Sequence, residues 1–189
     1  MNICIYGAAS DNINPEFLLE GEKLGKYLAE RSHTIVFGGG AEGMMGAVAR
    51  GSNSVGGKLI GISPTFFKVD GVLYDKCTDF IYTETMRERK QILEESSDAF
   101  IVTPGGIGTL DEFFEIYSLR QLRRHKKAIV LYNIRGFFNP LIKMLETCAD
   151  EKFMKAANLK LFAVASTPKE ALEFLENYRE ADEQISDFR

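Results

Sequence analysis

The stretch from Asp98 to Gln121 constrains the fold more than any other. Asp98-Ala-Phe-Ile-Val-Thr103 is an apolar run short enough for a buried strand, and Leu110, Phe113, Phe114, Tyr117 and Gln121 recur at helical spacing. Between them stands Pro104-Gly-Gly-Ile-Gly-Thr-Leu-Asp-Glu112. Pro104 cannot donate to a strand ladder. The glycines at 105, 106 and 108 remove Cβ atoms where the backbone bends sharply or where something approaches it. The unit reads as strand, glycine turn and helix start. Amides at a helix start are unsatisfied and carry the positive end of the macrodipole, which makes this turn a candidate phosphate site. A plainer pattern competes: Thr109-Leu-Asp-Glu112 fits a capping box, with Thr109 as N-cap and Glu112 at N3. A cap needs no ligand, but it does not need Gly105, Gly106 and Gly108 either.

Similar units fill the rest of the chain. Strands are expected at Asn2–Tyr6, Thr34–Phe37, Lys58–Ser63, Phe80–Tyr82, Ala128–Tyr132 and Leu161–Ala165. Helices are expected from Asn14-Pro15 to about Arg31, after Gly46 to about Asn53, from Thr85 to about Ser96, from Asn139-Pro140, and from Thr167. Residues 65–78 have no clean period and read as a loop, a lid or a ligand-facing segment. Apolar strands alternating with helices indicate an α/β sandwich, a mainly parallel sheet covered on both faces, in a single domain over residues 1–178. The polar tail, residues 179–189, is expected to fray. Ligands of such sheets bind beyond the carboxyl ends of the strands, where both glycine-rich turns fall.

A net charge of -4 and a pI near 5.4 give no general attraction to nucleic acid or to an anionic membrane. Three cysteines and two histidines, widely spaced, form neither a disulfide framework nor a zinc pattern, so no metal is expected. No signal peptide or membrane span is visible, and a cytoplasmic location is expected.

Gly38-x-Gly40-x-x-Gly43 formally matches a dinucleotide fingerprint, but no acidic residue follows at the distance used for ribose recognition. Packing alone does not account for Gly38, Gly39 and Gly40 together. Arg89 and Lys90 lie on a helix leading into the central strand; Arg89 reads as an exposed helical arginine whose loss spares the fold. The basic run Arg120–Lys127 is not interleaved with aromatics and fits a helix C-terminus better than a nucleic-acid patch.

In order and spacing, Gly38-Gly-Gly-Ala-Glu-Gly-Met-Met-Gly46, Met86-x-x-Arg89-Lys90 and Pro104-Gly-Gly-x-Gly-Thr-x-x-Glu112 resemble the Lonely Guy family. Its members are cytokinin riboside 5′-monophosphate phosphoribohydrolases, often mislabelled as lysine decarboxylases. The resemblance runs from about Ile3 to Tyr178. It implies a Rossmann-like domain and a homodimer with active sites near the subunit interface. It also implies a cofactor-independent hydrolysis of AMP, or an N6-substituted AMP, to free base and ribose 5-phosphate. Carried over to this chain, Arg89 and Glu112 match the catalytic pair, and Met86 and Lys90 match substrate contacts. Gly105, Gly106, Ile107, Gly108 and Thr109 match the phosphate turn, with Gly39 and Gly40 from the other glycine turn. Ser118 keeps the hydroxyl of a family threonine. Gly7-Ala8-Ala9-Ser10 departs from the family's Cys-Gly-Ser-Ser, and Leu119-Arg-Gln-Leu-Arg123 from its Trp-x-Gln-Leu-Gly, which leaves base selectivity open. The alternative is a nucleotide-binding or molybdenum-cofactor carrier on the same fold. The presence of both Arg89 and Glu112 favours the enzyme.

Overall fold

The computed structural model describes residues 1–179; the expected fraying of the tail beyond Arg179 falls outside the described residues. In chain order the elements are β1 (Asn2–Tyr6), α1 (Pro15–Ala29), β2 (Thr34–Phe37), α2 (Gly43–Asn53), β3 (Leu59–Pro64) and β4 (Asp79–Thr83). There follow α3 (Met86–Glu95), β5 (Ala99–Val102), α4 (Ile107–Gln121), β6 (Ala128–Tyr132), α5 (Asn139–Asp150), β7 (Ala163–Ala165) and α6 (Pro168–Asn177). The strands form one sheet in the order β4-β3-β2-β1-β5-β6-β7, and every pairing is parallel.

The chain winds outward from β1 to β4, then returns to the far side of β1 and winds outward again. The switch point therefore lies between β1 and β5, where the turns leaving the two strands diverge and open a crevice. Those turns touch at their base, where Ala8 N–H donates to Pro104 O at 3.1 Å. Residues of α1, α2 and α6 pack with one face of the sheet, and residues of α3, α4 and α5 with the other. This is the Rossmann-like three-layer arrangement expected, with the parallel pairing complete rather than partial.

Local caps explain the starts of α1, α3 and α6. Asn14 accepts from Glu16 N–H with Pro15 at the first helical position, while Thr85 and Thr167 accept from Glu88 and Glu170 N–H. Glu88 and Glu170 reach back to the amides of Glu84 and Ser166. The last strand is shorter than expected, since residues up to Lys160 close a 3-10 helix first. The loop after β3 begins with a 3-10 turn at Thr65–Phe67, and its second half is tied down. Ala41 N–H donates to Val72 O and Tyr74 N–H donates to Gly39 O, which hold it against the end of β2. Among the described residues, no helix is long and apolar enough to cross a membrane.

Glycines let α1 and α2 pack closely. A Cβ on Gly25 would sit 1.9 Å from Val48 O, and one on Gly51 would sit 2.0 Å from Glu22 O. Both clashes are with backbone, which cannot swing aside as a side chain can. Gly25→Ala should therefore cost about 1–3 kcal/mol of overpacking, despite alanine's better helix propensity. Urea denaturation checks this; an unchanged or raised midpoint would show that the two helices can slide apart without loss.

Candidate active site

Two glycine-rich turns, before α2 and before α4, lie at the carboxyl edge of the sheet, and they differ in kind. The start of α2 is already occupied by a negative charge, because Gly43 N–H donates to Asp11 Oδ1 at 2.7 Å. Each preceding glycine faces a side chain of this chain. A Cβ on Gly38 would lie 2.0 Å from Arg89 Nη2, one on Gly39 2.6 Å from Phe80 Cζ, and one on Gly40 2.9 Å from Met45 Cε. Gly39 also has φ +76°, a conformation that L side chains rarely adopt. Packing thus accounts for Gly38 and Gly39, whereas Gly40 meets only the end of a flexible methionine, and the dinucleotide fingerprint has lost its free helix start.

The start of α4 is bare. The helix begins at Ile107 with Gly106 at the cap position, and no side chain among the described residues caps it. Thr109 is therefore not an N-cap. It lies inside the first turn, buried, and Gly105 makes room for its hydroxyl: a Cβ there would be 2.1 Å from Thr109 Oγ1. Gly106 and Gly108 are different. A Cβ on either would meet nothing within 4 Å among the described residues, and neither has a positive φ. Ile107 between them is 82% exposed. A helical glycine costs roughly 1 kcal/mol relative to alanine. These two are required by no contact of the folded chain, and they leave an uncapped, positively polarised turn open to an anion.

Five residues past that start, about 7 Å along the helix axis, stands Glu112. It does not reach back to a cap. Arg89 Nη1 donates to Glu112 Oε1 at 2.8 Å, and Arg89 Nε donates to Ile62 O at 3.1 Å. Arg89 is 7% exposed and Glu112 8%, so the arginine read as exposed is a buried partner. Burial raises the Glu112 pKa above the usual carboxylate value, and the adjacent guanidinium only partly offsets that rise. Next in α3, Lys90 Nζ lies 3.1 Å from Asp111 Oδ2 and also pairs with Glu115. The hydrogen bond to Glu115 raises the lysine's pKa against the opposing effect of burial, and keeps it an ammonium.

The structure therefore brings together Arg89, Lys90 and Glu112, with Gly105 through Thr109 one helical turn away; Gly38 is the glycine beside the arginine, while Gly39 faces Phe80 and Gly40 faces Met45. Met86 sits half-exposed at the start of α3. Ser118 lies apart: it is exposed, eleven residues past Ile107 and so roughly 16 Å down the α4 axis. Sequence reasoning passed over Asp11, Glu115 and the Ile62 carbonyl. Nothing local marks them, since their partners lie 32, 25 and 27 residues away.

The profile of a family described as possible lysine decarboxylase matches residues 45–175. A cytokinin riboside 5′-monophosphate phosphoribohydrolase of Mycobacterium tuberculosis is 36% identical over 170 residues, covering 90% of this chain and 90% of that protein. A probable cytokinin riboside 5′-monophosphate phosphoribohydrolase of rice, Oryza sativa subsp. japonica, is 31% identical over 97% of this chain and 75% of its own length. Among solved structures, a molybdenum cofactor binding protein from Rippkaea orientalis superposes with a TM-score of 0.71 at 23% identity, covering 93% of this chain and 94% of that one. The molybdenum cofactor carrier protein of Chlamydomonas reinhardtii gives 0.71 at 22%, covering 93% and 95%. These two likenesses are of fold.

Two outcomes follow from this geometry. Gly108→Ala should raise stability in urea by about 0.5–1 kcal/mol. The same change should shrink the rise in melting temperature that inorganic phosphate confers on the wild type; an equal rise in both proteins would place the anion elsewhere. Arg89→Ala and Glu112→Ala should each cost about 3–5 kcal/mol, because each strands a buried partner. The double variant should cost clearly less than the sum, and additive losses would mean that the pair is not coupled.

Proposed function

Because the chain belongs to the family described as possible lysine decarboxylases, which takes in the phosphoribohydrolases above, we propose that it is a nucleoside 5′-monophosphate phosphoribohydrolase. The substrate is AMP or an N6-substituted AMP, and the products are free base and ribose 5-phosphate. One observation carries this reading: Gly106 and Gly108, required by no contact of the fold, flank a bare helix start one turn before a buried carboxylate held by arginine.

The 5′-phosphate binds the α4 amides, and this remote contact holds the ribose against Glu112. The C1′–N bond breaks with its electron pair going to the base, and positive charge develops on the sugar as in other glycosidic cleavages. Ionised Glu112 lies opposite that charge in a water-poor site where its field is little screened. Water adds its oxygen to C1′, and its released proton balances the one taken up by the departing base. Arg89 fixes the carboxylate through its second anchor on Ile62 O.

The family's decarboxylase description fits these residues poorly. A Schiff-base lysine needs a neutral amine, whereas Lys90 is held as an ammonium by two carboxylates. The carrier reading has the fold likeness in its support, and it predicts binding of nucleotides without turnover. In the enzyme reading the protein is a cytoplasmic homodimer. Ser118 shares the open side of α4 with half-exposed Phe114, and it joins an active site only across the subunit interface.

Chromatography should show AMP converted to adenine with adenosine nearly untouched; equal turnover of the two would remove the phosphate's role. Glu112→Gln should lose at least about 10²-fold in kcat, with Asp111→Asn largely active as the matched control. The acid limb of kcat should fall above the usual glutamate value of 4.5, because the ionised form is the active one. Stability runs the other way. The folded state takes up the Glu112 proton at higher pH than the unfolded chain, so this group favours folding as pH falls through the raised value. Light scattering should give twice 21.2 kDa, and a monomer mass would sink the dimer.

A further inference from the structure

Beside Glu112, between β1, α3 and α4, lies a cavity of about 10 Å³ lined by Tyr6, Lys90, Glu94, Glu112, Glu115 and two apolar side chains of α4. That is close to the least space one water molecule needs. Tyr6 is 2% exposed and stacks on Phe100 with ring centroids 6.0 Å apart, so its hydroxyl has a fixed place. Tyr6 and Lys90 supply donors to this space, and three carboxylates supply acceptors. An internal water has two to four such partners.

We propose that one water occupies this cavity and joins the Tyr6 hydroxyl to the Glu112 carboxylate, which makes Tyr6 a positioning residue for that carboxylate. Burial first, then the electrostatic effects of Cys4 and Glu112 and a hydrogen bond with the Cys4 sulfur, push the Tyr6 hydroxyl well above its ordinary range, so it stays protonated. A hydrogen bond given to the charged form favours that form. The groups around Glu112 divide in sign. Burial opposes the anion first, and Asp111 of α4 adds to it; Arg89 and Lys90 of α3 support the anion, and the carboxylates of Glu94 and Glu115 line the same cavity. The Cys4 thiol of β1, pushed up to about 12 chiefly by burial, is neutral. Tyr6 is thus a neutral donor that favours ionised Glu112 against the burial that raises its pKa.

The effect on rate rests on the phosphoribohydrolase reading; the hydrogen bonding does not, and two measurements on the full chain separate them. Carbon-13 NMR titration of the Glu112 carboxyl, identified by its loss in Glu112→Gln, should show Tyr6→Phe raising its pKa by about one unit. The acid limb of kcat for AMP should move by the same amount, with KM unchanged. A titration that does not move overturns the inference. A titration that moves while the rate profile stays put upholds the inference and removes Glu112 from catalysis. Should Tyr6→Phe not fold, a high-resolution crystal structure of the wild type decides. Density for one water between the Tyr6 hydroxyl and Glu112 is expected, and a dry cavity overturns the proposal.

Discussion

The ion pair between Arg89 and Glu112 is the constraint on which the rest of the site depends. Two opposite charges at 2.8 Å inside a protein attract strongly, but removing them from water is expensive, and only good geometry offsets that cost. The geometry here is assembled from distant parts of the chain. α3 supplies the guanidinium, α4 the carboxylate, the end of β3 a carbonyl for Nε, and Gly38 at the end of β2 the space for Nη2. None of these would meet without the parallel sheet, which brings the carboxyl ends of β2, β3 and β5 to one edge. The fold thus holds this pair in one arrangement.

That dependence explains what was legible in the sequence. The strands, the helices and their alternation follow from local apolar periods, and the structure reproduces them within a few residues. The turn pattern Thr-x-x-Glu occurs three times, at Thr85, Thr109 and Thr167. It makes a cap twice and fails once. The failure at Thr109 has a physical cause: Glu112 gains more from a buried guanidinium than from an exposed amide, and Thr109 is packed beneath Gly105. A local pattern cannot register a partner 23 residues upstream. For the same reason the three glycines at 38–40 looked like a ligand cradle. Their neighbours Arg89, Phe80 and Met45 are set by tertiary packing, which only the fold reveals.

The two helix starts at the sheet edge differ in what they leave open. Both follow glycine-rich turns and both present unsatisfied amides, so by sequence alone both are phosphate sites. Asp11 fills one of them, with its carboxylate on Gly43 N–H. The other is left uncapped, at a cost of about 1 kcal/mol in lost capping, and Gly108 adds a similar cost within the helix. A chain selected only for stability would cap both. The negative charge at α2 also repels a second phosphate. A pyrophosphate spanning the crevice would bring like charges together there, whereas a monophosphate at α4 leaves Asp11 undisturbed. The asymmetry between the two starts therefore suits the proposed monophosphate ligand, whose phosphate would sit on the helix that carries Glu112.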